Sequence, residues 1–290
     1  MNANPFTRDW AAPGSVRQGA GKIRPDERET LPMIDFCCDI GNYAFRDWPV
    51  NDVAGTVRVM DGAGIRLAVA GSVDAIAYAC PHPANVRFMA ALQASGHQDR
   101  FVPVTVLSPV YPGVAADMAD SRSRGCRGLK LYPGYHGFHV DDPPALRLIR
   151  QAADWGWPVI VTLRIEDERH HHPLMKVRSV PVAGVVAAAL QVPQATVILS
   201  GATHGEVCTF LEATAALPRA GAELSYVKGP LGALKSLVDR FGSKRLLLGT
   251  HLPFVYPGCG IAKIAEADLP AAAKGDILSR NAAALLGLPA

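Results

Sequence analysis

The chain has 290 residues, 49% hydrophobic and 19% charged, with a formal net charge of +3. This is the make-up of a globular protein with room for a large core, which excludes a disordered or fibrous chain. Lysines and arginines are scattered with no basic stripe between aromatics, and no apolar run approaches the ~20 residues of a membrane span, so neither nucleic acid nor membrane is expected as a partner.

Residues 1–31 are rich in Gly, Pro, Arg and Ala and show no period, which reads as a tail. Their start, MNANPFTRDW, lacks the charged-then-apolar design of a secretion signal, so the expected location is cytoplasmic. From Met33 a rhythm sets in: a short apolar run, a glycine-bearing polar loop, then a helical pattern. The runs are Met33–Cys38, Leu67–Gly71, Phe101–Leu107, Gly128–Tyr132, Pro158–Leu163, Ala195–Ser200, Glu223–Val227 and Arg245–Gly249. They are almost continuously apolar, as strands buried on both faces of a parallel sheet are. Amphipathic stretches lie between them: Val53–Gly64, Pro144–Trp155, Val182–Gln191, Val207–Leu217 and Leu231–Phe241. Asp142 before Pro143 and Pro144 marks a helix start, and Gly156 marks a stop. Eight strands, each followed by a helix, predict an α/β protein with one (β/α)₈ TIM barrel over residues 32–290. An open doubly wound sheet is the alternative, but no GxGxxG follows any strand. The six cysteines (Cys37, Cys38, Cys80, Cys126, Cys208, Cys259) do not suggest a disulfide framework, and all but Cys37 and Cys38 read as buried or half-buried thiols.

In such a barrel the chemistry sits where strands end, because the loops there converge. The first strand ends Asp35-Phe36-Cys37-Cys38-Asp39, and its loop carries Arg46. The fourth delivers Lys130 and Tyr132, then Tyr135 and His136; the fifth leads into Arg164–His172. The sixth leads to Ser200 and His204, the seventh carries Ser225, and the eighth ends Gly249-Thr250-His251. Seven of nine histidines (His136, His139, His170, His171, His172, His204 and His251) fall in these loops, which points to an enzyme.

Three segments carry a family resemblance: Met33-Ile34-Asp35-Phe36, GLKLYPGYHGFHVDDPPALRLIRQAADWGWPVIV, and RLLLGTHLPFVYP with NAAALLGL. In these the chain resembles the amidohydrolase superfamily, in the branch with the amidohydrolase-related domain that also contains decarboxylases. The resemblance spans about residues 33 to 288 and implies the same barrel. It also implies a metal site, and there the residues depart from the pattern. The His-x-His after the first strand falls on Cys37 and Asp39, and the fifth-strand His on Thr162. The sixth-strand His belongs near Ser200 or Gly201, where the nearest is His204, and the eighth-strand Asp is His251. No standard metal cofactor is therefore expected. If zinc is held, its ligands would be Cys37, Asp39, His204 and His251, whose donor types suit it; otherwise Cys37 and Thr162 fill the vacated space.

The expected activity is hydrolysis of a C–O or C–N bond, as in a lactone or amide, in a small carboxylated substrate. Catalysis falls to His251, Asp167 and His172, and substrate binding to Arg169, Arg164, Arg46, Lys130, Tyr135 and His136. Arg presents a planar fork that matches a carboxylate, and His exchanges a proton near neutrality. For Glu166, Glu168, His170 and His171 a role in shaping the loop is favoured, since consecutive residues cannot all face one point. Lys130 stands where some superfamily members keep a metal-bridging carboxylated lysine; here it reads as a substrate-carboxylate or ion-pair residue. The alternatives are a decarboxylating or hydrating lyase, and a non-catalytic binding protein on the same barrel. Homo-oligomerisation is left open.

Overall fold

The computed structural model describes residues 32–288 except Lys176 and Ser179, so the tail expected over 1–31 lies outside the described residues. Its strands are β1 (Met33–Ile40), β2 (Ile65–Ser72), β3 (Phe101–Pro103), β4 (Thr105–Val106), β5 (Leu129–Leu131), β6 (Pro158–Thr162), β7 (Thr196–Ser200), β8 (Gly221–Glu223) and β9 (Leu246–Leu247). Every ladder between them is parallel, in the orders β1-β2-β3 and β4-β5-β6-β7-β8-β9.

Backbone hydrogen bonds join the two sheets at both seams. β3 and β4 are halves of one barrel strand: the Val104 N–H donates back to Ala70 and the Thr105 N–H forward to Gly128. At the other seam the Phe36 N–H donates to Leu248, the His251 N–H to Cys37 and the Asp39 N–H to Leu252. Eight parallel strands thus follow one another around an axis, the expected (β/α)₈ arrangement.

Period-two alternation then sorts the side chains. Ala68, Ala70, Leu129, Leu131, Val159, Val161, Val197, Leu199, Leu246 and Leu248 point outward into the core beneath the helices. Their neighbours Val69, Ile160, Ile198 and Leu247 point inward, join Ile34 and Phe36, and are closed from below by Ala282 and Leu286 of the helix Asn281–Leu286. One step further along each strand, the next inward layer is polar: Lys130, Thr162, Ser200 and Glu223, all buried. In β1 a register shift between Asp35 and Cys38 resets the phase, so that Cys37 and Asp39 join this layer while Cys38 packs outward. Such an irregularity re-aims side chains, and here it turns a thiol and a carboxylate inward.

Most helices begin within a few residues of their predicted starts. One differs: the helix after β7 begins at His204 rather than Val207, because Thr203 and Glu206 form a capping box. The seventh strand also differs, since β8 ends at Glu223 and Leu224–Val227 continues as a buried turn closed by Val227 N–H to Leu224. Among the cysteines, Cys259 is exposed rather than buried. No described helix is long and apolar enough to cross a membrane.

Candidate active site

The polar layer holds two connected groups. In the first, Lys130 Nζ donates to both carboxylate oxygens of Asp39, at 2.8 and 2.7 Å, and Tyr132 Oη donates to Asp39 Oδ2 at 3.1 Å. Both partners of the ion pair are no more than 2% exposed. Burial works against the Lys130 charge, but Asp39 prevails and holds the ammonium well above the usual lysine range. The Tyr132 hydroxyl is pushed up by burial and by the Asp39 charge.

The second group centres on His251. Its Nε2 faces the Ile165 carbonyl, which can only accept, so Nε2 carries the proton and Nδ1 presents a lone pair. The Cys37 thiol lies 3.3 Å from Nδ1 and donates to it. Burial lowers the His251 pKa, partly opposed by Glu223, so the imidazole is neutral near pH 7. Burial pushes the Cys37 thiol up, and Glu223 adds to the effect. The His251 backbone has a φ of 60°, making it the one non-glycine residue in the left-handed region among the described residues. That conformation costs ~1–2 kcal/mol. It is held by the His251 N–H to Cys37 and the Val255 N–H to His251, at 2.8 and 3.1 Å. Backbone strain of this kind persists where surrounding contacts over-determine a residue, which is a mark of functional positions.

Glu223, which sequence reasoning passed over, completes this group. Its Oε1 accepts from the Ser200 hydroxyl, the Gly201 N–H and the Ser225 hydroxyl, and its Oε2 from the Ser225 N–H. A Cβ at Gly249 would overlap Glu223 Oε2, so only glycine leaves the carboxylate its place. Beside it, Asp35 accepts from the Cys37 N–H and from the Thr250 N–H and hydroxyl. Burial raises its pKa to about 7 despite these bonds.

An aromatic cap covers the layer. Tyr43 packs edge-on against Phe45 and Phe254, at 5.9 and 5.2 Å between ring centroids, and Phe254 lies 5.3 Å from the His251 ring. Tyr43 Oη donates to Glu166 at 2.9 Å, and Glu166 pairs with Arg46 at 3.0 Å, which ties the β1 loop to the β6 loop.

The expected site residues separate accordingly. His251 and Lys130 lie on the axis, and Arg46 sits at the edge of the cap. Tyr135 packs edge-on against Tyr132, and His136 Nε2 donates to the Ala75 carbonyl. From the β6 loop it is Glu166 that turns inward. Asp167 and Arg169 pair with each other at 2.8 Å, with Arg169 83% exposed, because a two-residue spacing lets the guanidinium fold back on its neighbour. His172 stacks on Phe45 at the cap's outer edge. Arg164 is turned away to Glu206, which it grips through two 2.6 Å hydrogen bonds. None of Asp167, Arg169 and His172 meets the ring nitrogens of His251, which face the Cys37 thiol and the Ile165 carbonyl. Nor do they line the cavities of about 190 Å³ beside Pro133 and Arg178 or about 430 Å³ beside Leu231 and Lys263. His204 lies at a helix start beside Cys208, apart from Cys37 and Asp39.

A parallel barrel with acid, base, thiol and hydroxyl groups gathered at the C-terminal strand ends is the architecture of barrel enzymes. The chain belongs to the amidohydrolase family, whose model matches residues 61–288. Among curated proteins no sequence matches. Solved structures share the fold at low identity. An uncharacterised TIM-barrel protein of Bordetella bronchiseptica is 19% identical with a TM-score of 0.67, over 89% of this chain and 99% of that one. A dihydroxybenzoic acid decarboxylase of Polaromonas, with bound manganese and 2-nitroresorcinol, is 14% identical with a TM-score of 0.68, over 89% and 97%. A probable 2-pyrone-4,6-dicarboxylic acid hydrolase of Acinetobacter baumannii, with citric acid bound, is 13% identical with a TM-score of 0.62, over 89% and 100%.

The residues of this chain do not fit a metal such as the decarboxylase holds. Among the described residues no group of three or more His, Cys, Asp and Glu is placed around a common point. Asp39 is bound through both oxygens by the Lys130 ammonium, and the His251 Nδ1 lone pair faces the Cys37 thiol.

Proposed function

We propose that this chain is a hydrolase that cleaves a C–O or C–N bond, in a lactone or amide, of a small carboxylated substrate, and that His251 is its base. The observation that carries the proposal is the neutral imidazole of His251, fixed in one tautomer with Nδ1 turned toward the axis. A base poised in this way does the proton work that the family pattern gives to the eighth-strand acid. When the Cys37 thiol turns its hydrogen to Ser200 Oγ, 3.6 Å away, His251 Nδ1 is free to accept a proton as water adds to the carbonyl carbon, and it returns that proton to the leaving oxygen or nitrogen. The Thr162 hydroxyl, buried with no hydrogen-bond partner among the described residues, faces the same layer and offers a donor to the substrate oxygen. Substrate reaches the axis when the cap opens. A substrate carboxylate that replaces Glu166 on Arg46 undoes the tie between the two loops and supplies the recognition.

The test is a panel of carboxylated lactones, amides and aromatic acids, analysed by mass for a gain of water or a loss of CO₂. The hydrolase reading predicts water gain, and His251→Asn lowers kcat by ~10²–10⁴-fold, the usual worth of general acid–base catalysis. Loss of CO₂ supports the lyase alternative instead. A variant that turns over at the wild-type rate removes His251 as the base.

A further inference from the structure

Each carboxylate on the axis is already engaged by donors of this chain. Asp39 is bound through both oxygens by Lys130 and again by Tyr132. Glu223 accepts four hydrogen bonds, Asp35 three, and His251 and Cys37 face each other. Among the described residues, the one full positive charge in this layer is the Lys130 ammonium, which is 1% exposed and also lies 5.4 Å from the Tyr132 ring centroid. A buried ammonium is strongly disfavoured unless anionic and π-face partners surround it, and here they do.

We propose that the Lys130 ammonium is the resident cation of this barrel, standing beside Asp39, one of the two positions on which the first metal motif of the resemblance falls, and balancing the carboxylate charge there. The same pairing makes the axis exclude a divalent ion. To bind Asp39, an incoming ion must either displace the ammonium or settle beside it, and in both cases a dication lies next to a buried positive charge. That repulsion is poorly screened, because both partners of the pair are buried. The inference concerns charge and binding and does not depend on which bond the protein cleaves.

The test uses the full chain in thermal unfolding, with elemental analysis after dialysis against Zn²⁺ or Mn²⁺. Wild type is expected to retain well under one metal per chain and to melt at the same temperature with and without either ion. Lys130→Ala is expected to melt lower, because Asp39 is left buried and unpaired, and to recover part of the loss when ethylammonium chloride is added. Asp39→Ala/Lys130→Ala, which removes both charges, is expected to melt above Lys130→Ala and to ignore ethylammonium. If Lys130→Ala fails to fold, folding of the double variant carries the same conclusion. A wild-type protein that retains one metal per chain and melts higher with it overturns the proposal, as does a Lys130→Ala that melts with wild type. All these readouts are independent of turnover, so they fail or succeed separately from the hydrolase assignment.

Discussion

Asp35→Asn should make the protein more stable at neutral and alkaline pH, although it removes a charge that holds two strands together. Asp35 is fully buried, and its pKa rises from 3.8 to about 7 chiefly because burial penalises the carboxylate. A group whose folded pKa is raised gives its stabilisation fully below the unfolded value and loses it as pH rises through the folded value. At about 1.4 kcal/mol per pH unit, wild type loses about 4 kcal/mol between roughly pH 4 and pH 7, and nothing further from this group above that. Asparagine keeps an oxygen for the Cys37 and Thr250 N–H groups, which both donate to Oδ1, and its amide can donate to Thr250 Oγ1 in place of accepting. The reversed Thr250 hydroxyl loses its acceptor, at a cost of about 1 kcal/mol. The variant should therefore exceed wild type by about 3 kcal/mol at pH 8. Urea unfolding of both proteins from about pH 5 to pH 9 isolates this effect, because His251 and the other titrating groups are common to both. The gap should widen up to about pH 7 and then level off. A gap independent of pH, or one that narrows as pH rises, refutes the buried-acid argument.

Two further outcomes follow from the same layer. Glu223→Gln replaces an acceptor oxygen by an amide and leaves at least one of the donors on Ser200, Gly201 and Ser225 unanswered; urea unfolding should show a loss of about 1–3 kcal/mol. Among the cysteines, a thiol reagent applied to the native protein should label the exposed Cys259 before the buried Cys37, Cys38 and Cys126, read by peptide mass.

The barrel was legible because its strands are buried on both faces and therefore read as unbroken apolar runs. That continuity also hid the polar layer, since a run buried on both faces does not show which face is the axis. Glu223 is the clearest case. The apolar stretch Leu224–Val227 drew the seventh strand too late, so a carboxylate that ends the strand looked as if it began one. The glycine in Gly221-Ala222-Glu223 and the serine two residues on were the available signal. In the loop after β6, composition showed charge but could not say which residue turns inward. Tyr43 and Arg46, from the first loop, settle that on Glu166 rather than Asp167. The Thr203-His204-Gly205-Glu206 pattern is a readable capping box that would have placed His204 on a helix start rather than over the axis. Lys130 and His251 reach the axis by different routes, Lys130 from an inward position inside β5 and His251 from beyond β9, where its N–H is tied to Cys37.

The central claim is that the axis works through His251, with Lys130 supplying the cation. The most direct measurement is the turnover of a carboxylated lactone by protein treated with a strong chelator, compared with the same protein after Zn²⁺ or Mn²⁺ is restored. The account predicts equal rates in the two samples and a ~10²–10⁴-fold lower rate for chelated His251→Asn. Turnover that vanishes on chelation and returns with the metal would contradict it.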